Sequence, residues 1–201
     1  MARPALRALI LCAVLLVVGC SKRSDPSTAS STAPTPATAD ATVTTVVGAG
    51  RVVLEPEGLG VVSFGASMDD TLAALRVSFG APDETVAGCP LAGPDATARR
   101  WEELSVQFVD GRFDAYTVRP PEGTAPSLRL ETADHVRIGS TVAELKATYG
   151  SRVEIPGLPA EQFGGNDFSI AFPGTERRLL GSLTAPGDDG QVTAFFTQVC
   201  E

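Results

Sequence analysis

The chain has 201 residues, 43% of them hydrophobic, and carries 24 acidic against 16 basic residues with one histidine, a net charge of −8. Nucleic-acid binding and docking of the folded part on anionic lipid both need clustered cations, and this acidic balance argues against them. The length allows one folded domain with a sizeable core.

In chain order, Arg3 and Arg7 precede an unbroken apolar run from Ala8 to Val18. The run is shorter than the roughly 20 residues of a membrane-spanning helix, but it fits the apolar part of an export signal behind a positive amino end. Val17, Val18, Gly19 and Cys20 follow, and they resemble the lipobox of bacterial lipoproteins. The resemblance implies that residues 1–19 are removed and that Cys20 becomes the acylated amino terminus. The protein is then anchored by lipid at the extracytoplasmic face of a bacterial cell membrane. The alternative is an ordinary secretory signal with Cys20 incidental. Loss of Arg3 and Arg7 leaves 14 basic against 24 acidic residues, a net charge of −10 (14 − 24).

Residues 20–47 form the next segment. From Ser21 to Thr45 it is dominated by Ser, Thr, Ala and Pro, with Asp25 and Asp40 its only acids and no aromatic residue. Too little apolar surface is present to offset the cost of ordering the backbone, so an extended tether is expected.

Residues 48–201 are the folded domain. It retains two cysteines, Cys89 and Cys200. In an oxidising compartment their expected state is a disulfide, which on the chain-entropy account stabilises the fold by about 4–5 kcal/mol for a loop this long. A metal pair or a reactive thiol are the rival readings, and neither has a neighbouring His or a Cys-x-x-Cys spacing in its favour.

Two helices are predicted. Ser67 caps the first, whose apolar residues Met68, Leu72, Leu75 and Phe79 share one face before Gly80 and Pro82 end it. Thr141 with Glu144 forms a capping box for the second, with a stripe of Val142, Leu145 and Tyr149 before Gly150. Strands follow each helix. Trp101–Val109 and Arg112–Val118 flank Asp110-Gly111, a two-residue hairpin signal. The second set is Asp167–Phe172, Arg178–Ala185 and Gln191–Cys200. The fold class is therefore α+β: two tandem helix-plus-antiparallel-strand repeats, about residues 58–118 and 132–200, forming one sheet with helices packed on one face.

If Val109 pairs with Arg112, then Phe108 meets Phe113, Val106 meets Ala115 and Leu104 meets Thr117. The free face then carries Trp101, Gln107, Arg112 and Tyr116, a composition suited to a protein interface. The alternative leaves Trp101 covered by Pro120 or the Cys89 loop and Tyr116 stacked on a neighbouring strand. Glu102 breaks the alternation, which would point it inward, so the strand is expected to begin after it or to hold it at the sheet's edge.

The twice-given order of Gly, small polar cap, short helix, Gly and strand meander resembles the β-lactamase inhibitory protein fold and the small SmpA/OmlA-type lipoproteins of outer-membrane assembly. That resemblance implies a tandem repeat whose open sheet face grips an extracytoplasmic protein partner.

Catalytic signals are poor. His135 lies beside Asp134 and shortly before Ser140 and Thr141, a spacing better suited to turn and cap residues than to a triad. The acid pairs Asp69-Asp70 and Asp188-Asp189 fit a helix's first turn and a polar loop. No cofactor or metal is implied: Asp188, Asp189 and Gly190 lack calcium-loop spacing, and Gly164, Gly165 and Asn166 lack the elements of a phosphate cradle. Arg99-Arg100 and Arg177-Arg178 read as solvated edge charges. The favoured function is a lipid-anchored protein-binding module of the cell envelope. The competing class is an envelope hydrolase or carbohydrate-processing enzyme with an unrecognised carboxylate site.

Overall fold

The computed structural model describes residues 51–156 and 166–199. The segments read as export signal and tether, together with Cys20 and Cys200, lie outside the described residues. The elements are β1 (Val53–Leu54), α1 (Met68–Phe79), β2 (Glu84–Ala87), β3 (Thr97–Trp101), β4 (Leu104–Val109) and β5 (Arg112–Val118). They continue with β6 (Glu131–Thr132), α2 (Val142–Tyr149), β7 (Val153–Glu154), β8 (Asn166–Ala171), β9 (Arg178–Leu183) and β10 (Val192–Phe196). The fold is α+β. Eight strands form one sheet in the order β2-β3-β4-β5-β10-β9-β8-β7, every neighbouring pair antiparallel, while β1 pairs with β6 in parallel.

Both helices begin and end where their caps dictate. The Ser67 hydroxyl accepts from the Asp70 amide at 3.1 Å, and Gly80 ends α1 at φ 76°. In α2 the capping box is complete: Thr141 Oγ1 accepts from the Glu144 amide, and Glu144 accepts from the Thr141 amide at 2.8 Å. The same three-bond pattern docks each helix start on the last strand of the meander that follows. The Gly65 amide donates to Phe113 O at 2.8 Å, Phe113 donates back to Ala66 O at 2.9 Å, and Met68 donates to Gly111 O at 2.8 Å. For α2, Gly139 donates to Val192 O at 2.8 Å, Val192 to Ser140 O at 2.9 Å, and Val142 to Gly190 O at 2.8 Å.

Ladder register separates two faces. One cross-strand row runs Phe168, Gly181, Phe195, Val118, Leu104 and Trp101. It belongs to the core, together with Leu75 of α1 and Val142, Leu145 and Tyr149 of α2. Gly181 lies where a Cβ would come within 2.4 Å of the Phe168 ring, so its missing side chain lets Phe168 and Phe195 meet edge to face, centroids 5.8 Å apart. The opposite face carries a row across all eight strands: Glu154, Ser169, Leu180, Phe196, Thr117, Ser105, Arg100 and Glu84.

The predicted register holds beside the hairpin turn, where Val109 pairs with Arg112 and Phe108 with Phe113, and two departures from regular pairing overturn it beyond. The segment read as one strand from Trp101 to Val109 turns at Glu102-Glu103, with Glu102 at φ 44°, so that Trp101 pairs with Leu104 on the core side. Asp110-Gly111 makes the expected hairpin, both residues at positive φ, but Asp114 is then bulged out: Phe108 pairs with Phe113 and Gln107 with Ala115. Beyond the bulge Val106 meets Tyr116, not Ala115, and Tyr116 turns inward. Strand β10 carries the same irregularity at Thr193, between the pairs Val192 with Leu183 and Ala194 with Ser182.

Candidate functional site

The helix-free face of the first meander is concave. Its floor is built from two ladder rows, Val86-Ala98-Gln107-Ala115 and Glu84-Arg100-Ser105-Thr117. The groove above them has a volume of about 780 Å³ and is walled by Cys89 and Pro90 at one side and by Arg119, Pro120, Pro121 and Glu122 at another. Asp83, Glu84, Glu102, Glu103 and Glu122 line it against two cations, Arg100 and Arg119. Arg100 is already paired with Glu84 at 2.5 Å. Glu103 is 4% exposed and fully engaged, accepting from the Ser127 hydroxyl at 2.7 Å and from the Leu128 amide.

The predicted contact residues separate in the structure. Trp101 is 2% exposed, its indole N–H donating to Gly80 O at 3.1 Å, and it closes the core against the end of α1. Tyr116 is 1% exposed and its hydroxyl donates to Glu55 O at 2.9 Å. Burial, with the Glu55 charge as a lesser cause, pushes its pKa well above that of a free tyrosine. Both are core residues, placed there by the turn at Glu102-Glu103 and the bulge at Asp114. Arg112 is exposed beside the start of α1, donating to Gly65 O at 2.9 Å. Of the four, Gln107 and Tyr116 line the groove, Tyr116 while buried with its hydroxyl on Glu55 O.

Gln107 is a junction. Its Oε1 accepts from the Cys89 amide at 2.6 Å, and its Nε2 donates to Asp114 and to Gln198 Oε1, both at 3.0 Å. Three segments distant in sequence thus meet on one side chain that is 7% exposed. Cys89 is buried and disulfide-bonded, and its partner lies outside the described residues.

The other candidates take structural roles. His135, at φ 67°, has its Nδ1 3.1 Å from Glu131 Oε1, and Arg51 pairs with the same carboxylate. The His135 hydrogen bond, aided by the Arg51 charge, holds the Glu131 pKa below its usual value. Ser140 Oγ accepts from the Arg137 amide at 3.1 Å, closing a turn and engaging no catalytic base. Asp70 sits at the α1 cap and Asp188 pairs with Lys146 at 2.9 Å. Of the second arginine pair, Arg178 is half-buried and pairs with Glu154 of β7 at 3.1 Å, whereas Arg177 stays exposed, over the Phe64 ring at 5.0 Å. Among the described residues, no group of three or more His, Cys, Asp or Glu side chains is placed to hold a metal ion, and no helix is long and apolar enough to cross a membrane.

No protein-family profile and no curated protein sequence matches the chain. Among solved structures, it is similar to the crystal structure of the uncharacterized protein yfeY from Escherichia coli. That likeness has 12% identity and a TM-score of 0.42, and covers 75% of this chain and 100% of that one. At that level the likeness carries no argument about fold or function.

Proposed function

We propose that the protein is a lipid-anchored, extracytoplasmic protein-binding module whose outer sheet groove receives an exposed basic loop of its partner. The observation that carries this reading is the acid-lined groove of about 780 Å³ on the helix-free face. Its excess of carboxylates over arginines, on a chain that is acidic throughout, favours a positively charged segment and speeds its approach. Such docking would enlist Glu84, Glu102 and Glu122 at the rim and the small residues of the floor.

The domain is further read as a tandem duplication of the type that the β-lactamase inhibitory protein resemblance implies. Each half has the order strand, helix, four-strand meander. The matching backbone bonds at the two helix starts and the paired bulges at Asp114 and Thr193 support that reading. Under the equivalence these set, Thr117 corresponds to Phe196, and those two residues pair with each other at the seam between halves.

Photo-crosslinking in intact cells tests the function. A benzophenone side chain at Thr117 or Ser105 is expected to capture one common protein, and the same group at Val77, 72% exposed on α1, is expected not to. Equal capture from all three positions, or none, removes the groove as the docking site. Metabolic labelling with an alkyne palmitate analogue tests the anchor: the wild-type chain should take up label and Cys20→Ala should not.

A further inference from the structure

Among the described residues, β2 and β7 are the two edges of the eight-stranded sheet. The edges differ. Strand β7 has two residues and runs into Ile155-Pro156, whose proline has no amide to donate, so it offers little to pair with. Strand β2 has four, Glu84–Ala87, with no proline or lysine to blunt it. Its one charge, Glu84, is turned to Arg100 of its own sheet.

The ladder shows which groups of β2 are unspent. The Gly88 amide donates to Ala96 O at 2.8 Å, and hydrogen-bonded pairs recur at every second residue of an antiparallel ladder. Val86, opposite Ala98, and Glu84, opposite Arg100, therefore commit their backbone groups to β3. The amides and carbonyls of Thr85 and Ala87 point away from the sheet. Both residues are exposed, and no other backbone segment bonds them among the described residues. Two donors and two acceptors thus stand in a row, about 7 Å between residues, along the rim of the groove that Glu84, Val86 and Ala87 line.

Charge is graded along that rim. Asp83, Glu84 and Glu102 gather at the start of β2, where Asp83 accepts from the Glu102 amide at 2.9 Å, and Arg100 is paired with one of the three. Towards the end of β2 the side chains are apolar, and Leu91 in the loop beyond is 70% exposed.

We infer that the partner's basic segment docks in extended form, as a ninth strand antiparallel to β2, bonded to the backbones of Thr85 and Ala87. The inference rests on the reading of the groove as the docking surface and adds how the segment is held and which residues it carries. A strand added there lies about 4.8 Å from β2, and its alternate side chains fall on the helix-free side with those of Glu84 and Val86. In antiparallel register a lysine or arginine opposite Glu84 is preceded, two positions earlier, by an apolar residue opposite Val86. The backbone bonds hold any extended segment; the acidic start and apolar end of the rim select this one.

The full-length chain in detergent, with the peptide acetyl-Gly-Thr-Val-Thr-Lys-Gly-amide as probe, decides the matter. At saturating peptide the Thr85 and Ala87 amides should exchange about fivefold more slowly or better, while Val153 and Glu154 stay unchanged. Methylating both threonine nitrogens of the peptide should abolish the protection, because these face β2, and methylating the valine nitrogen should not. Absence of protection, or equal loss from the two methylations, overturns the added strand. Thr85→Pro removes one outward donor and leaves the ladder to β3 intact. In intact cells it should lower crosslinking from Ser105 several-fold, with Thr85→Ala unchanged. Equal capture in Thr85→Pro and wild type keeps the docking surface and removes the strand. Absence of capture in the wild type removes the docking reading, and the strand with it.

Discussion

Trp101 and Tyr116 show how far a single residue's environment can depart from its apparent register. Alternation from Gln107 back to Trp101 counts an even number of steps and assigns both to the free face. Glu102-Glu103 inserts a turn within that count, and Asp114 adds one residue on the partner strand. The misfit of Glu102 on the inward side was the visible trace of the turn, whereas nothing in the residue type of Asp114 announces a bulge. Their burial makes a sharp distinction testable. Trp101→Ala should cost about 3–5 kcal/mol in urea unfolding, the range for emptying a large buried site, whereas Arg112→Ala on the surface should cost about 0.5 kcal/mol or less. Tyr116→Phe should lose about 1–2 kcal/mol, because Glu55 O is left without its donor inside the core. Glu131 supplies a pH test. Its depressed folded pKa stabilises the native state above the ordinary carboxyl range, and that contribution fades as the pH falls through the folded value. His135→Ala removes the main cause, so NMR titration should show the Glu131 midpoint moving upward towards 4.5.

At the scale of elements, legibility followed the strength of the local signal. Both helices could be placed from caps alone, because Ser67 and Thr141 satisfy amides that would otherwise lack partners and the two glycines release the chain. The Asp110-Gly111 hairpin was equally plain, since both of its residues must take positive φ. Strands β1, β6 and β7 have two residues each and β2 has four, too short for any periodicity to register. The groove was therefore illegible in part: one wall follows β2, and the floor depends on a pairing of β2 with β3 that only long-range contacts specify. The core row makes the element-scale prediction. Gly181 reads as a weak strand residue, but a Cβ there would fall 2.4 Å from Phe168 and 2.5 Å from Ala194 O. The backbone oxygen cannot swing aside, so Gly181→Ala should destabilise by about 1–3 kcal/mol through overpacking, seen as a lower urea midpoint. Loss of the edge-to-face ring contact should alter the Phe168 and Phe195 ring signals in NMR spectra.

Across the whole molecule, the two meanders meet at a seam with little ladder of its own: Phe195 with Val118, Phe196 with Thr117, and the Thr197 amide on Tyr116 O at 3.1 Å. What joins the halves is chiefly the shared core, in which Leu75 of α1 and Leu145 of α2 belong to one cluster. A bridge from Cys89 in the first half to Cys200 after the last strand would add a covalent tie across that seam. Its entropic effect falls on the unfolded chain, which loses the freedom of a loop of more than 100 residues, worth about 4–5 kcal/mol. The double variant Cys89→Ser/Cys200→Ser should therefore unfold at a markedly lower urea concentration and with a steeper dependence on denaturant, since its unfolded state is more expanded. The transition should remain single, because one core cannot melt by halves; two separated transitions would mean that the meanders are independent units held together by the bridge.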